Sequence, residues 1–223
     1  MTLGVLGGMG VQATARFYEL LTAMQNVKLE QEYLDVLIYS KSSIPDRTAF
    51  ITGESQVSPL DALISAAVTL ENAGVSLIAM PCVTAHFFYN ELAPVVGVPF
   101  LDMLEETARY VQESGYTKIG LLATDGTLSC GLFPAVLEKK GIQTITPTEA
   151  LQGRVGDAIR MIKRGDMPPE PLSLYAEDLY TRGAEAIVLG CTELGLLPRG
   201  GEYVYIEALE VLAGACLAYV HAN

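Results

Sequence analysis

One stretch of this chain occurs twice, and the duplication limits its fold more than any other feature. Val75 to Met80 is a short apolar run that leads into Pro81-Cys82-Val83-Thr84-Ala85-His86. Ala186 to Leu189 is a second such run, leading into Gly190-Cys191-Thr192-Glu193. Apolar runs of this length between turn residues read as buried strands. Each follows a helix end and a glycine, Asn72-Ala73-Gly74 and Thr181-Arg182-Gly183, and each cysteine stands eight residues after that glycine. The similarity extends upstream. Leu3 to Leu6 runs into Gly7-Gly8-Met9-Gly10, and Lys118 to Ala123 runs into Thr124-Asp125-Gly126. Gly4 precedes Cys82 by 78 residues and Gly120 precedes Cys191 by 71. Two similar halves follow, each alternating strands with helices, which implies a mainly parallel sheet in each.

The remaining segments fit that frame. Val11 to Gln25 has Phe17, Leu20, Leu21 and Met24 at helical spacing, predicting an amphipathic helix. Leu34 to Ser40 reads as the next strand and Ser42 to Ser55 as a loop. Ser58-Pro59 starts a helix that runs to about Asn72. A helix over 84–92 follows the first cysteine. Val98 opens the second half, with helices over 103–114 and 132–140 and a strand over 142–145. Thr146-Pro147-Thr148-Glu149 reads as a capping box, opening a helix to Arg164. Helices over 172–182 and 208–221 complete the pattern, the last expected to pack back across the first half. The expected division is therefore 1–97 plus 208–223 for the half carrying Cys82, and 98–207 for the half carrying Cys191. At 223 residues, half of them hydrophobic, the chain has enough apolar surface for both.

Charge and cysteine usage narrow the function. A formal net charge of −12 with no basic run argues against nucleic acid as a partner. The chain opens on a strand-like run with no basic leader, and its most apolar late segment, 208–220, is too short to span a bilayer. A cytoplasmic location is expected, where four cysteines read as thiols rather than disulfides. Gly8-Met9-Gly10-Val11-Gln12-Ala13 matches a dinucleotide-binding glycine pattern, but the following strand ends Tyr39-Ser40-Lys41 without the ribose-binding acid, which argues against that use. No two cysteines stand at zinc-ligand spacing.

A parallel sheet places reactive groups beyond the carboxyl ends of its strands. Cys82 and Cys191 sit there, each beside a helix start expected to favour the thiolate, lowering a pKa of about 8.5 in free cysteine. Two such sulfurs on opposite faces of one carbon can remove a proton from one side and return one to the other, which inverts a stereocentre. Backbone N–H groups and hydroxyls would carry the carbanion's charge without a cofactor. Cys130 and Cys216 lack this setting and read as core residues.

Pro81-Cys82-x-Thr84-Ala85-His86, Gly190-Cys191-Thr192-Glu193, the opening Gly-Gly-Met-Gly and Pro45-Asp46-Arg47-Thr48 together resemble the aspartate/glutamate racemase family over nearly the whole chain. The resemblance implies two pseudo-symmetric α/β domains with the active site in the cleft between them, no pyridoxal phosphate or other cofactor, and usually a homodimer. It makes Cys82 and Cys191 the two acid/base residues of a racemase for aspartate, glutamate or a broader set of amino acids. It gives Met9, Thr84, Thr124 and Thr192 the substrate's α-carboxylate and amino group. Arg47 falls in the loop where relatives selective for acidic amino acids bind the side-chain carboxylate, a task suited to a guanidinium. Lys163 matches a second such cation, although with Arg164 it also suits the C-terminal end of its helix. Glu193 stands where stricter glutamate racemases carry histidine, which points to the aspartate or broader branch. Glu207 reads first as a helix N-terminal acid, and His86 as a group that either tunes the thiol or is packed.

The departure is Val83, where family members commonly carry an asparagine that hydrogen-bonds substrate. One hydrogen bond to a charged group is worth roughly 1.5–3 kcal/mol. Either the substrate is held differently, or activity is much reduced and the chain is a low-activity substrate-binding homologue. A maleate-type dicarboxylate isomerase, in which one cysteine attacks carbon, is the alternative reaction on the same fold.

Overall fold

A computed structural model describes all residues, 1–223. It contains two parallel sheets of the same connectivity. The first is built from β1 (Thr2–Gly7), β2 (Asp35–Ser40) and β3 (Leu77–Ala79) in the order β2-β1-β3. The second is built from β4 (Lys118–Ala123), β5 (Gln143–Ile145), β6 (Ala186–Gly190) and β7 (Tyr205–Glu207) in the order β5-β4-β6-β7. A parallel bridge between Ile78 and Phe100 sets a fourth, single-residue position beside β3, where β7 lies beside β6. Residues 98–101, placed in the second half by the sequence division, thus run along the first sheet. The two sheets are matching structures, and the fold is α/β with helices flanking each.

The helices are α1 (Val11–Met24), α2 (Arg47–Ile51), α3 (Leu60–Asn72), α4 (Tyr89–Leu92), α5 (Met103–Glu113), α6 (Asp125–Cys130), α7 (Leu132–Lys139), α8 (Glu149–Lys163), α9 (Ser173–Thr181) and α10 (Ala208–Ala222). Several boundaries differ from those expected. The loop over 42–55 contains α2, started by Asp46, whose carboxylate accepts from the Ala49 N–H at 3.1 Å. Thr124 caps the short α6 in what read as a turn, its hydroxyl accepting from the Thr127 N–H at 3.1 Å. The cap of α8 is Thr148 rather than Thr146. Residues 84–88 form a 3-10 helix that passes into α4, instead of one continuous α-helix. Met24 lies outside the buried stripe of α1, which is Ala13, Thr14, Phe17, Leu20 and Leu21.

The matched glycines of the repeat have a physical reason. Gly74 and Gly183 end α3 and α9 at φ +85° and +93°, the left-handed region that residues with a side chain rarely enter. Each turns the chain directly into a buried strand, β3 or β6, all of whose residues are inaccessible.

Packing joins the halves. The largest apolar cluster takes Leu3, Val5, Leu77 and Ala79 from the first sheet and Ile119, Leu121, Ala123 and Val188 from the second, with α1, α5, α7 and α10 between them. α10 packs on α1 and on α5. No helix is long and apolar enough to cross a membrane.

Candidate active site

The two cysteine turns stand at equivalent strand ends, one after β3 and one after β6. Both sulfurs belong to nearly buried residues, 5% and 4% exposed. Their surroundings differ. Cys82 lies in an apolar cluster with Met9, Ile44 and Met80. Cys191 donates its S–H to Glu193 Oε2 at 3.0 Å, and the Thr192 hydroxyl donates to the same oxygen at 3.2 Å. Burial, then the Glu193 carboxylate, push the Cys191 thiol well above its usual value, with Lys163 opposing them.

Beside these turns opens a cavity of about 530 Å³, within the range of small-molecule sites. Its walls come from both halves: the turn Gly8-Met9-Gly10 and the start of α1 on one side, Ile44, Asp46 and Arg47 above, and Lys163, Arg164 and Glu193 opposite. Gly10 caps α1 without a side chain, so the first-turn amides that line the cavity have no side-chain acceptor. A Cβ at Gly10 would lie 2.8 Å from Glu193 Oε1, so a side chain there would displace the Glu193 carboxylate. Oε1 is buried and has no hydrogen-bond partner.

Two cations face the cavity with different freedom. Arg47 is 8% exposed and spends its terminal N–H groups on backbone: Nη1 donates to Pro45 O at 3.0 Å and Ile44 O at 3.4 Å, and Nη2 to Met9 O at 3.4 Å. Only its Nε is left without a partner. The guanidinium therefore braces the Met9 turn against the loop before α2. Lys163 makes no such bonds. Burial acts to lower its pKa, but Cys191, Glu193 and Cys82 outweigh burial and hold the ammonium above the usual lysine value. Lys163 thus lies within electrostatic reach of both sulfurs. Burial likewise pushes the Asp46 carboxyl up, yet the Ala49 N–H, Lys163 and Arg47 prevail and keep it below the usual carboxylate range.

A smaller pocket of about 160 Å³ shares Asp46 and Lys163 with the cavity and reaches Thr124. Here three buried hydroxyls form a triangle across the halves: Thr84 to Thr124 at 3.1 Å, Thr84 to Thr127 at 3.0 Å, and Thr124 donating to Thr127 at 3.0 Å.

The model of the Asp/Glu/hydantoin racemase family matches residues 6–215. The chain belongs to that family. It is 28% identical to the broad specificity amino-acid racemase RacX of Bacillus subtilis (strain 168), covering 97% of this chain and 94% of the relative. Among solved structures, the Picrophilus torridus aspartate racemase superposes with a TM-score of 0.86 at 29% identity, covering 99% of this chain and 94% of that one. The glutamate racemase of Francisella tularensis in complex with D-glutamate superposes with a TM-score of 0.71 at 16% identity, over all of this chain and 81% of that one, a likeness of fold.

Within this racemase family frame, the structure gathers most of the residues expected from the sequence. Met9, Arg47, Lys163 and Glu193 line one cavity, and Thr124 lines the pocket joined to it. Thr84 reaches that pocket's edge through Thr124, and Thr192 meets the cavity through Glu193. Cys82, Cys191 and Val83 line neither space: Cys82 and Cys191 lie behind the walls, each in the apolar cluster of its own half. The Val83 side chain belongs to the large apolar cluster that includes β1, β3, α5 and α10 residues. His86 packs rather than facing a sulfur: its Nε2 accepts from the Met103 N–H at 3.1 Å, so Nδ1 carries the proton and donates to Cys82 O at 2.9 Å. Glu207 precedes α10 without capping it. It is 1% exposed, one oxygen meets Arg199 at 3.4 Å, and the other has no partner. Burial pushes its carboxyl up, against Arg16 and Arg199.

Gln12, Ser42 and Asp46 also line the cavity and Thr127 completes the hydroxyl triangle, none of them marked as a site residue by the sequence. Thr127 carried one usable signal, since it sits one helical turn after the capping Thr124 and so on the same face.

Proposed function

We propose that this member of the Asp/Glu/hydantoin racemase family interconverts the L and D forms of an amino acid by proton transfer between two thiols, Cys82 and Cys191, without pyridoxal phosphate. The observation that carries this reading is the position of Lys163. One ammonium, on the wall of a cavity between the halves, feels both sulfurs at the ends of equivalent strands. We seat the α-carboxylate at the uncapped amides of α1, which line the cavity, with the α-carbon turned toward the two cysteine turns beside it. A thiolate on one face takes the α-proton, and the electron pair passes into the carboxylate. The thiol on the other face returns a proton to the carbon. Sulfurs and substrate end balanced, with thiol and thiolate exchanged.

For the substrate side chain we propose an acid, aspartate or glutamate, held by Lys163 with the positive charge of Arg47 beside it. The bonded Nη atoms of Arg47 support the floor of the site.

Incubation with a panel of L-amino acids in deuterium oxide tests the reading. The expected product is the α-deuterated D-enantiomer, formed fastest from aspartate or glutamate. Cys82→Ser and Cys191→Ser each lower racemisation by about 10²–10⁴-fold, the usual worth of a positioned acid or base. No exchange with any amino acid overturns the racemase reading. Racemisation at the unaltered rate in either serine variant overturns the two-thiol mechanism.

A further inference from the structure

The two sulfurs are not equivalent, and the difference lies in Glu193. Its carboxylate is 3% exposed, which is costly for a charge unless partners compensate it. Two donors meet Oε2, the Cys191 S–H at 3.0 Å and the Thr192 hydroxyl at 3.2 Å. Oε1 has none, although it is buried and stands against Gly10 at the cavity wall. Cys82 has no carboxylate neighbour of this kind and lies among apolar side chains. We infer that Glu193 is a positioning residue that keeps the proton on Cys191 in the free enzyme, so that Cys191 rests as the proton donor of the pair. The inference rests on the two-thiol reading above and adds the direction in which the pair is poised.

The groups facing this pair come from every element packed on the turn. Lys163 of α8 attracts any negative charge formed on either sulfur or on the carboxylate. Arg47 at the start of α2 and Arg164 at the end of α8 line the same cavity, as does Asp46. Glu207, before α10, abuts Gly195 two residues beyond Glu193 and is balanced by Arg16 and Arg199. Of these, Glu193 alone is bonded to Cys191. When Cys191 gives its proton to the carbanion, the thiolate and the Glu193 carboxylate are left side by side, with Lys163 as the neutralising charge. The pair resets when a proton from water in the cavity reaches the Glu193 carboxyl and passes to Cys191 Sγ, while Cys82 releases to water the proton it took from substrate. One proton enters and one leaves.

Two variants test this. Glu193→Gln removes the charge and leaves a similar shape, whereas Glu193→Asp keeps the charge on a shorter stem. Alkylation of Cys191 by iodoacetamide, followed by mass spectrometry against pH with Cys82 as internal control, reads the thiol directly and needs no substrate. The expected result is a lower midpoint for Cys191 in the glutamine variant, with about tenfold faster labelling near pH 8. The aspartate variant lies between it and the unaltered protein, and the Cys82 profile is unmoved. In parallel, the basic limb of the kcat/KM profile, which reports the free enzyme's essential acid, moves to lower pH in Glu193→Gln. An unmoved Cys191 midpoint overturns the inference, even if racemisation persists. A moved midpoint without any racemisation leaves the thiol–carboxylate pair standing and removes the proposed reaction. If neither variant folds, the infrared S–H stretch of the unaltered protein decides, assigned by its loss in Cys191→Ser. A Cys191 band below those of the other thiols supports the pairing, and one at their frequency overturns it.

Discussion

Val83 stands between Cys82 and Thr84, yet its side chain points into the apolar cluster shared by the two sheets. That placement changes what its substitution would do. An asparagine there would bury an amide among aliphatic side chains with no partner, at a cost of about 1–3 kcal/mol. The expected result for Val83→Asn is a lower Tm, by about 2–4 °C for each kcal/mol in a chain of this size, with no gain in racemisation; thermal melts beside the deuterium assay check it. A gain in rate at unchanged Tm would show that position 83 reaches the ligand. The cysteines themselves were legible in the sequence, because a strand's end and the turn after it are set by neighbours in the chain. The direction of a side chain is not. The sequence places Val83 by position alone, whereas its side chain belongs to a cluster drawn from both sheets and from α10 at the far end of the chain. The sequence likewise presents Arg47 as a free carboxylate clamp. The carbonyls of Ile44, Pro45 and Met9 that occupy its Nη atoms come together only in the folded loop.

At the scale of elements, His86 ties the 3-10 helix after Cys82 to the start of α5. Both ring nitrogens are committed, Nδ1–H to the Cys82 carbonyl and Nε2 to the Met103 N–H, so the ring is held neutral in one tautomer. Burial lowers its pKa from the ordinary 6.5, with Asp102, the cap of α5, pulling the other way. The sign follows from linkage. The unfolded chain binds a proton near pH 6.5 that the folded chain refuses until lower pH. The stabilisation is complete above about 6.5 and is lost as pH falls toward the folded value. Melts between pH 8 and pH 5 should show a falling Tm for the unaltered protein. A flatter curve is expected for His86→Asn, whose amide cannot take up a proton. A slope in the variant as steep as in the unaltered protein would remove His86 as its source. The elements that escaped the sequence reading, α2 and α6, are five and six residues long. Neither has the length for a helical period to show, and each exists because a capping residue, Asp46 or Thr124, meets a tertiary contact: α2 packs on α6 across the two halves.

On the scale of the molecule, the repeat predicts two lobes, but the packing makes them one unit. The 27-residue cluster draws strands from both sheets, and α10 lies between α1 and α5 with Leu209, Leu212, Ala213, Cys216 and Leu217 buried in it. Neither sheet can lose its face of this cluster without exposing the other's. Unfolding should therefore be a single cooperative transition, with calorimetric and van't Hoff enthalpies equal, rather than two steps separated by lobe. Leu212→Ala provides the sharper test. Removing a fully buried leucine costs about 2–5 kcal/mol, depending on how far the site collapses. If the lobes were independent, the loss would fall on whichever lobe α10 stabilises and would split the transition. Because α10 touches elements of both halves, the same loss should lower one transition as a whole. Hydrogen exchange at β1 and β4 amides should accelerate together, since both strands would then open only by global unfolding. Faster exchange at one of these central strands and not the other would show that the lobes are separable, and that the cavity between them is free to change shape as one moves against the other.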